Sequence, residues 1–265
     1  MCSGKKIIIM LASLTVIVSS RAFGGESAVA TYVSGGENHI LVLTASNSVW
    51  SCGDNFYYQL GTGDQHDEWT LERVRGGDMG TTYLEGIDDV DAGWQHSLGL
   101  DMSSFVWAWG NNEQGQLGDN QTAYPDSATP VQVRGGQMGT TYLQNIDSIS
   151  AGRSGEHSLA VSSSGLVYAW GRNQEGQLGN DKSGSGQKEL TPVKVHDGEM
   201  NTMSGFLENI VAVSAGEQHS IGLGSDGRVY TWGDNKLQVG ERYGKLGNGN
   251  TWSDLIDTPC YSIAE

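Results

Sequence analysis

Three dipeptides, His96-Ser97, His157-Ser158 and His219-Ser220, each pair a base with a hydroxyl, and Asp91 and Asp101 supply carboxylates nearby. An imidazole that takes a serine proton while an acid orients the ring is the chemistry of acyl transfer. Such a site needs one constellation, whereas this dipeptide returns at the same place in successive copies of one sequence unit. Its role is therefore expected to be repeated too, and structural. A histidine that satisfies backbone groups at the start of an inner strand fits better, because buried polar atoms need partners.

Other chemistry finds little support. Gly184-Ser185-Gly186 lacks the lysine and the strand context of a phosphate-cradling loop. Asp88, Asp89 and Asp91 form an acidic cluster, but they miss the calcium-loop spacing and fall where the other copies place a strand. Cys52 and Cys260 offer no C-x-x-C metal spacing. They are either two buried thiols or, if the ends of the array are neighbours, a disulfide pair. No cofactor, metal site or catalytic residue is expected.

The units that carry the histidines set the architecture. His39, His96, His157 and His219 align, and 13 residues after each stands Cys52, Trp109, Trp170 or Trp232, followed by glycine. Eight residues further lie Leu60, Leu117 and Leu178, inside Gln-Leu-Gly. A spacing kept four times means connecting backbone that cannot change length, as in two paired strands of a repeated unit. The histidines are 57, 61 and 62 residues apart. Apolar residues alternate as on half-buried strands, and Trp50, Trp107, Tyr168 and Tyr230, two before the Cys/Trp position, share its face. Ser163, Ser164 and Gly165 mark the hairpin turn between these two strands.

A third strand is expected at Thr129–Val133 and Thr191–Val195, with Thr70–Val74 as a proline-free version. A fourth lies before the glycine that precedes each histidine, as at Ile149-Ser150-Ala151 and Val213-Ser214-Ala215. Four short antiparallel strands per unit of about 60 residues predict an all-β chain, a partial or small β-propeller. The repeats span about 28–84, 85–143, 144–207 and 208–265. A second duplication, RGGDMGTTYLEGI at 75–87 and RGGQMGTTYLQNI at 134–146, agrees at ten of thirteen positions. It predicts a surface excursion returning through an apolar anchor at Leu84, Leu143 or Leu207.

Composition and address narrow the partners. Glycine makes up 39 of 265 residues, about twice the usual share of ~7%, which favours tight turns over long helices. Lys5 and Lys6 precede an apolar run from Ile7 to Val18, and Ser20-Arg21-Ala22 offers small residues where a signal peptidase reads. Residues 1–22 are thus expected to be a signal peptide, since the run is shorter than the ~20 residues a membrane span needs. Cleavage would remove three cations and no acid, taking the net charge from −16 to −19. So acidic a surface repels phosphate backbones, and nucleic acid is not an expected partner. No membrane span is expected after signal cleavage.

These motifs resemble the repeats of the regulator of chromosome condensation family: a glycine before the histidine, a V-[YW]-x-W-G strand and a G-Q-L-G turn. The glycines are Gly36, Gly93 and Gly216, with Gly155 in the third copy after a two-residue insertion. The resemblance runs from about residue 28 to 262 and implies one blade of four antiparallel strands per repeat. Cys52 departs from the pattern, and the fourth copy carries either Gln238-Val239-Gly240 or Lys245-Leu246-Gly247 as its turn. The family usually closes seven blades. Four copies are therefore expected to form an open arc, with a small closed ring as the alternative and self-assembly as a way to complete the propeller.

Function is expected where the copies disagree. Tyr57, Tyr58, Trp69, Trp94, Tyr124 and Trp252 stand outside the repeat pattern on expected loops, and Trp and Tyr dominate interface anchors. They are candidates for binding a protein or cell-surface component; the competing reading is that they cover blade edges. The leading expectation is an exported, non-enzymatic, extracytoplasmic binding module. Inhibition of a secreted enzyme is a variant of it, because the architecture looks like that of secreted bacterial β-lactamase-inhibitor proteins. The alternative that the family resemblance implies is guanine-nucleotide exchange on a small GTPase.

Overall fold

Gly-rich turns and alternating apolar residues leave the chain one economical way to bury its side chains, as short antiparallel sheets stacked face to face. A computed structural model describes residues 28–121, 126–198, 205–237, 242–243, 246 and 256–262. The leader at 1–22, Tyr124 and Trp252 lie outside the described residues, as does the Cys260 side chain.

Four sheets of four strands follow one another. Blade one contains β1 (Ala30–Gly35), β2 (His39–Thr44), β3 (Val49–Gly53) and β4 (Glu68–Arg73). Blade two contains β5 (Ile87–Ala92), β6 (His96–Asp101), β7 (Val106–Gly110) and β8 (Ser127–Gln132). Blade three contains β9 (Ile146–Ala151), β10 (His157–Ser162), β11 (Val167–Arg172) and β12 (Lys188–Lys194). Blade four opens with β13 (Ile210–Ala215), β14 (His219–Gly224) and β15 (Val229–Gly233). A two-stranded ribbon, β16 (Lys236–Leu237) and β17 (Arg242–Tyr243), then precedes its outer strand β18 (Ile256–Ser262).

All four blades use one register, pairing His39 with Gly53, His96 with Gly110, His157 with Gly171 and His219 with Gly233. The fixed 13-residue spacing is thus a hairpin of constant length, in which each histidine pairs with the glycine one residue past the Cys/Trp position. Each blade packs on the next through β2 against β5, β6 against β9 and β10 against β13. Among the described strands no comparable packing joins blade four back to blade one, so the blades form an arc.

Two expectations need correction. The histidine strand is the second of its blade; the strands that meet along the inner edge of the arc are β1, β5, β9 and β13. In the third repeat Gly152, not Gly155, takes the place of Gly36 and Gly93, because its N–H donates to the His157 carbonyl as theirs do to His39 and His96. The two-residue insertion falls after that glycine, and Gly155 packs instead on the carbonyls of Gly216 and Glu217.

The duplicated excursion does return through a buried anchor: Leu84, Leu143 and Leu207 are each fully buried. At its start, Gly77 and Gly136 press against the carbonyls of Pro130 and Pro192 in the next blade. Asp78 Oδ2 accepts the Gln132 N–H (3.4 Å) and Gln137 Oε1 accepts that of Lys194 (2.9 Å). Side chains of one blade thereby cover open edge positions of the next, which guards against strand addition.

Candidate functional site

The histidine and serine that suggest a nucleophile do meet, but across blades. His39 Nε2 lies 2.9 Å from Ser97 Oγ, His96 Nε2 3.0 Å from Ser158 Oγ, and His157 Nε2 2.9 Å from Ser220 Oγ. Each hydroxyl donates to a backbone carbonyl of the histidine's own blade: Ser97 to Gln59 (2.8 Å), Ser158 to Gln116 (3.0 Å), Ser220 to Gln177 (2.8 Å). A hydroxyl has one proton, so the imidazole must donate from Nε2, the reverse of a general base. The same carbonyls accept the indole N–H of Trp109 (2.9 Å), Trp170 (2.8 Å) and Trp232 (2.9 Å). Histidine, serine, glutamine carbonyl and indole thus form one connector, repeated at all three joints.

Burial confirms that the connector is structural. Trp109, Trp170 and Trp232 are fully buried, and each could contribute ~2 to 3 kcal/mol by leaving water. The last glycine of the turn permits this, since a β-carbon at Gly61, Gly118 or Gly179 would lie 2.8 to 2.9 Å from the Cδ1 of Trp109, Trp170 or Trp232. The imidazoles cannot ionise readily: burial depresses His39 to about 4, and His96 and His157 to about 3. Neighbouring histidines add to the depression of the latter two. The Nδ1 atoms of His39, His96 and His157 accept no hydrogen bond, so no carboxylate orients these rings. Those of His39 and His96 face Gly36 and Gly93, where a β-carbon would approach within 2.7 and 2.8 Å.

The two acids named as triad candidates are engaged elsewhere. Asp101 accepts the Trp107 indole N–H (2.8 Å) and turn amides of Ser103 and Phe105. Asp91, which stands where the other copies have Ser34, Ser150 and Ser214, accepts Ser34 Oγ (2.7 Å) and the Ala151 N–H (2.9 Å). Ser150 Oγ reaches the same carboxylate at 3.3 Å, and accepts the Ala215 N–H at 3.1 Å. Residues of β1, β5, β9 and β13 are so linked in one polar chain along the inner edge. Burial raises the Asp91 carboxyl above its usual range, against the lowering effect of these donors.

The irregular aromatics fall into two places. Tyr57, Tyr58 and Trp69 belong to blade one; Trp94 sits in the loop before β6 and lines a concavity with Glu37, Glu156, Arg172 and Glu217. Trp69 is 93% exposed on β4, whereas Tyr57, Tyr58 and Trp94 are half-buried. Tyr58 adopts a left-handed backbone (φ 62°) at the position held by Gly115 and Gly176 in the next blades. Sequence reasoning missed Phe56, which is 65% exposed and edge-on to Tyr57 at 4.9 Å. Its signal was available, because Glu113 and Gln174 occupy the equivalent positions. Cys52 is a free, half-buried thiol.

Comparison with known proteins places these features in a wider set. Profiles described as "Regulator of chromosome condensation (RCC1) repeat" match residues 105–161 and 164–223, and residues 30–59, 87–116, 146–177 and 210–238. The Ultraviolet-B receptor UVR8 of Arabidopsis thaliana is 32% identical over 227 residues, covering 84% of this chain and 44% of the receptor. The probable E3 ubiquitin-protein ligase HERC6 of Homo sapiens is 31% identical, covering 85% of this chain and 20% of the ligase. Among solved structures, Prp20p of Saccharomyces cerevisiae, studied for its binding to Gsp1p and histones, superposes with a TM-score of 0.68 at 21% identity. That match covers 89% of this chain and 51% of Prp20p. The chain therefore spans between a fifth and about half of the length of these proteins.

Proposed function

The chain belongs to the regulator of chromosome condensation (RCC1) repeat family, and on that premise we propose that it is an exported, non-enzymatic binding module whose ligand is a protein or cell-surface component. One observation carries the reading. The histidine, serine and tryptophan that recur from blade to blade are buried and engaged in the connectors, while Tyr32, Phe56 and Trp69, exposed aromatics, break the repeat. Repeated residues hold the blades; unrepeated ones are left to recognise something else. A protein ligand also accords with the family, since Prp20p was studied for binding Gsp1p and histones.

Export rests on the dilysine, the apolar run from Ile7 to Val18 and the small residues around Ala22. Cell fractionation with sequencing of the mature N-terminus tests it: a chain beginning at Phe23 in the medium or envelope supports export, and an intact Met1 in the cytosol refutes it. The binding reading is tested by crosslinking from positions 56, 69 and 94. Adducts that vanish in Trp69→Ala and Trp94→Ala with folding preserved support it, and adducts unchanged by both replacements sink it. Guanine-nucleotide exchange is the second reading, favoured by family membership alone. Accelerated nucleotide release from a small GTPase by the purified chain would put it first. Inhibition of a secreted hydrolase is a narrower form of the binding proposal, read out by activity loss on titration with the chain.

A further inference from the structure

Blade one differs from its neighbours at one end. Gly53 closes β3 and pairs with both His39, which opens β2, and Glu68, which opens β4. The loop before β2 and the connection from β3 to β4 therefore lie at the same end, and Trp94, in the loop before β6, holds that place in blade two. The hairpin turns and the duplicated excursions take the other end, where the chain also enters, with the Ala45 N–H donating to the Val29 carbonyl (2.8 Å).

At the first end, the turn that reads Glu113-Gln114-Gly115 in blade two and Gln174-Glu175-Gly176 in blade three is Phe56-Tyr57-Tyr58. Tyr58 keeps the left-handed backbone of the glycines it replaces, which a bulky side chain adopts at a cost in stability. The other described non-glycine residues with positive φ are asparagine, aspartate or serine. The fold asks for glycine here, and the turn carries an aromatic against that preference. It is also held in place. The Tyr57 N–H donates to Gln59 Oε1 (2.9 Å), Gln59 Nε2 donates to Asp54 Oδ2 (2.7 Å), and Gln65 Nε2 donates to the Phe56 carbonyl (2.9 Å). A surface ordered before contact loses little freedom on binding.

The charge around the turn is of one sign. From Ala28 to Glu72 the sequence holds no lysine or arginine, whereas Glu37, Asp54, Asp64, Asp67 and Glu68 all fall at this end. Burial, and then the carboxylates of Glu72 and Asp64, raise Glu68 above its usual range, with His66 acting against them. Glu37 carries the negative field on into the concavity it lines with Trp94, Glu156 and Glu217. The cation of that lining, Arg172, is held by Glu156 and Glu175, each at 3.2 Å.

Resting on the binding reading above, we infer that the ligand of this end is a basic segment of a protein, whose apolar side chains pack on Phe56 and Tyr57 while its arginine or lysine side chains meet the surrounding carboxylates. Rings and carboxylates together suit such a segment, since a guanidinium is drawn to both. An acidic or phosphate-bearing partner is repelled.

Fluorescence anisotropy of labelled peptides titrated with the full chain tests this. A peptide of alternating arginine and leucine should bind saturably and more tightly than its glutamate–leucine and serine–leucine counterparts. Phe56→Gln, the blade-three choice at that position, should weaken the arginine peptide about 30-fold with an unchanged circular-dichroism spectrum, as for an aromatic anchor. Glu37→Gln with Asp64→Asn should weaken it too and flatten its salt dependence. Asp147→Asn with Glu208→Gln, the same loss of charge at the other end, should leave binding unchanged. Tyr58→Gly should raise the urea midpoint while weakening the peptide. No saturable binding, binding indifferent to Phe56→Gln, equal losses from the two charge pairs, or a lower urea midpoint in Tyr58→Gly would each overturn the inference. If position 56 crosslinks a protein but the chain prefers the serine or glutamate peptide, the binding reading stands and the basic ligand falls.

Discussion

Interior joints and the far side of blade one are built on the same hairpin register yet hold opposite chemistry. At the joints a polar relay is sealed inside an apolar stack: imidazole N–H to hydroxyl, hydroxyl to carbonyl, indole N–H to the same carbonyl. On the far side the hydroxyl has become Ile40 and the indole Cys52, and an exposed tryptophan stands at the outer strand. The difference teaches that the repeat is a bonding rule between blades rather than a property of each blade. On the side of blade one that no described blade covers, the residues at both connector positions differ together, Ile40 for serine and Cys52 for tryptophan.

The contrast can be broken most forcefully by acid. Three connector histidines titrate well below the unfolded value of about 6.5, so the unfolded chain binds protons that the folded chain refuses. Their contribution is full above pH ~6.5 and declines as pH falls toward the folded values of about 4 and 3. Each refused proton steepens the loss by about 1.4 kcal/mol per pH unit. Urea midpoints between pH 7 and 4 should drop sharply, and His157→Gln should flatten the slope by one proton. Asp91 works in the opposite direction, because its raised pKa favours the folded state at low pH and loses that advantage as pH rises.

Replacing an indole comes next. Trp170→Ala removes a fully buried side chain and one of the two donors to the Gln116 carbonyl, and should cost ~3 to 5 kcal/mol in denaturant unfolding. Cys52→Ala, at the same register position on the free side, should cost about 1 kcal/mol or less. A smaller effect sharpens the polar half of the rule. Ser158→Ala strips the His96 N–H of its acceptor while leaving Trp170 on the carbonyl, for a loss of ~1 to 3 kcal/mol. Smallest of all is Trp69→Ala, expected to shift stability within about ±0.5 kcal/mol because the side chain is 93% exposed. If Trp69→Ala destabilises as much as Ser158→Ala, the far side is part of the core and the comparison fails.

Much of the fold was legible because hairpin length is written directly in the spacing from His39 to Cys52 and its three counterparts. Turn glycines and the anchors Leu84, Leu143 and Leu207 were legible for the same reason, being fixed by local register. The connector was not. It joins residues about a repeat apart, such as His96 and Ser158, and no alignment of one copy on another reveals that a side chain reaches forward rather than back to its own backbone. The same blindness put the third-repeat glycine at 155, since a two-residue insertion can be slid along the loop without changing the pattern until the Gly152 N–H is seen on the His157 carbonyl. Aromatics outside the repeat were visible as exceptions, but whether an exception is buried depends on neighbours. Trp69 proves exposed, and Trp94 shares its concavity with Glu37 and Arg172 from other blades.

The central claim, that histidine and serine act together across a joint and not as chemistry, is tested most directly by a double-mutant cycle on His157 and Ser220. Unfolding free energies of His157→Phe, Ser220→Ala and the double variant should show a coupling of about 1 to 2 kcal/mol, as for residues that share a buried hydrogen bond. Additive losses, with no coupling between the two positions, would contradict the account.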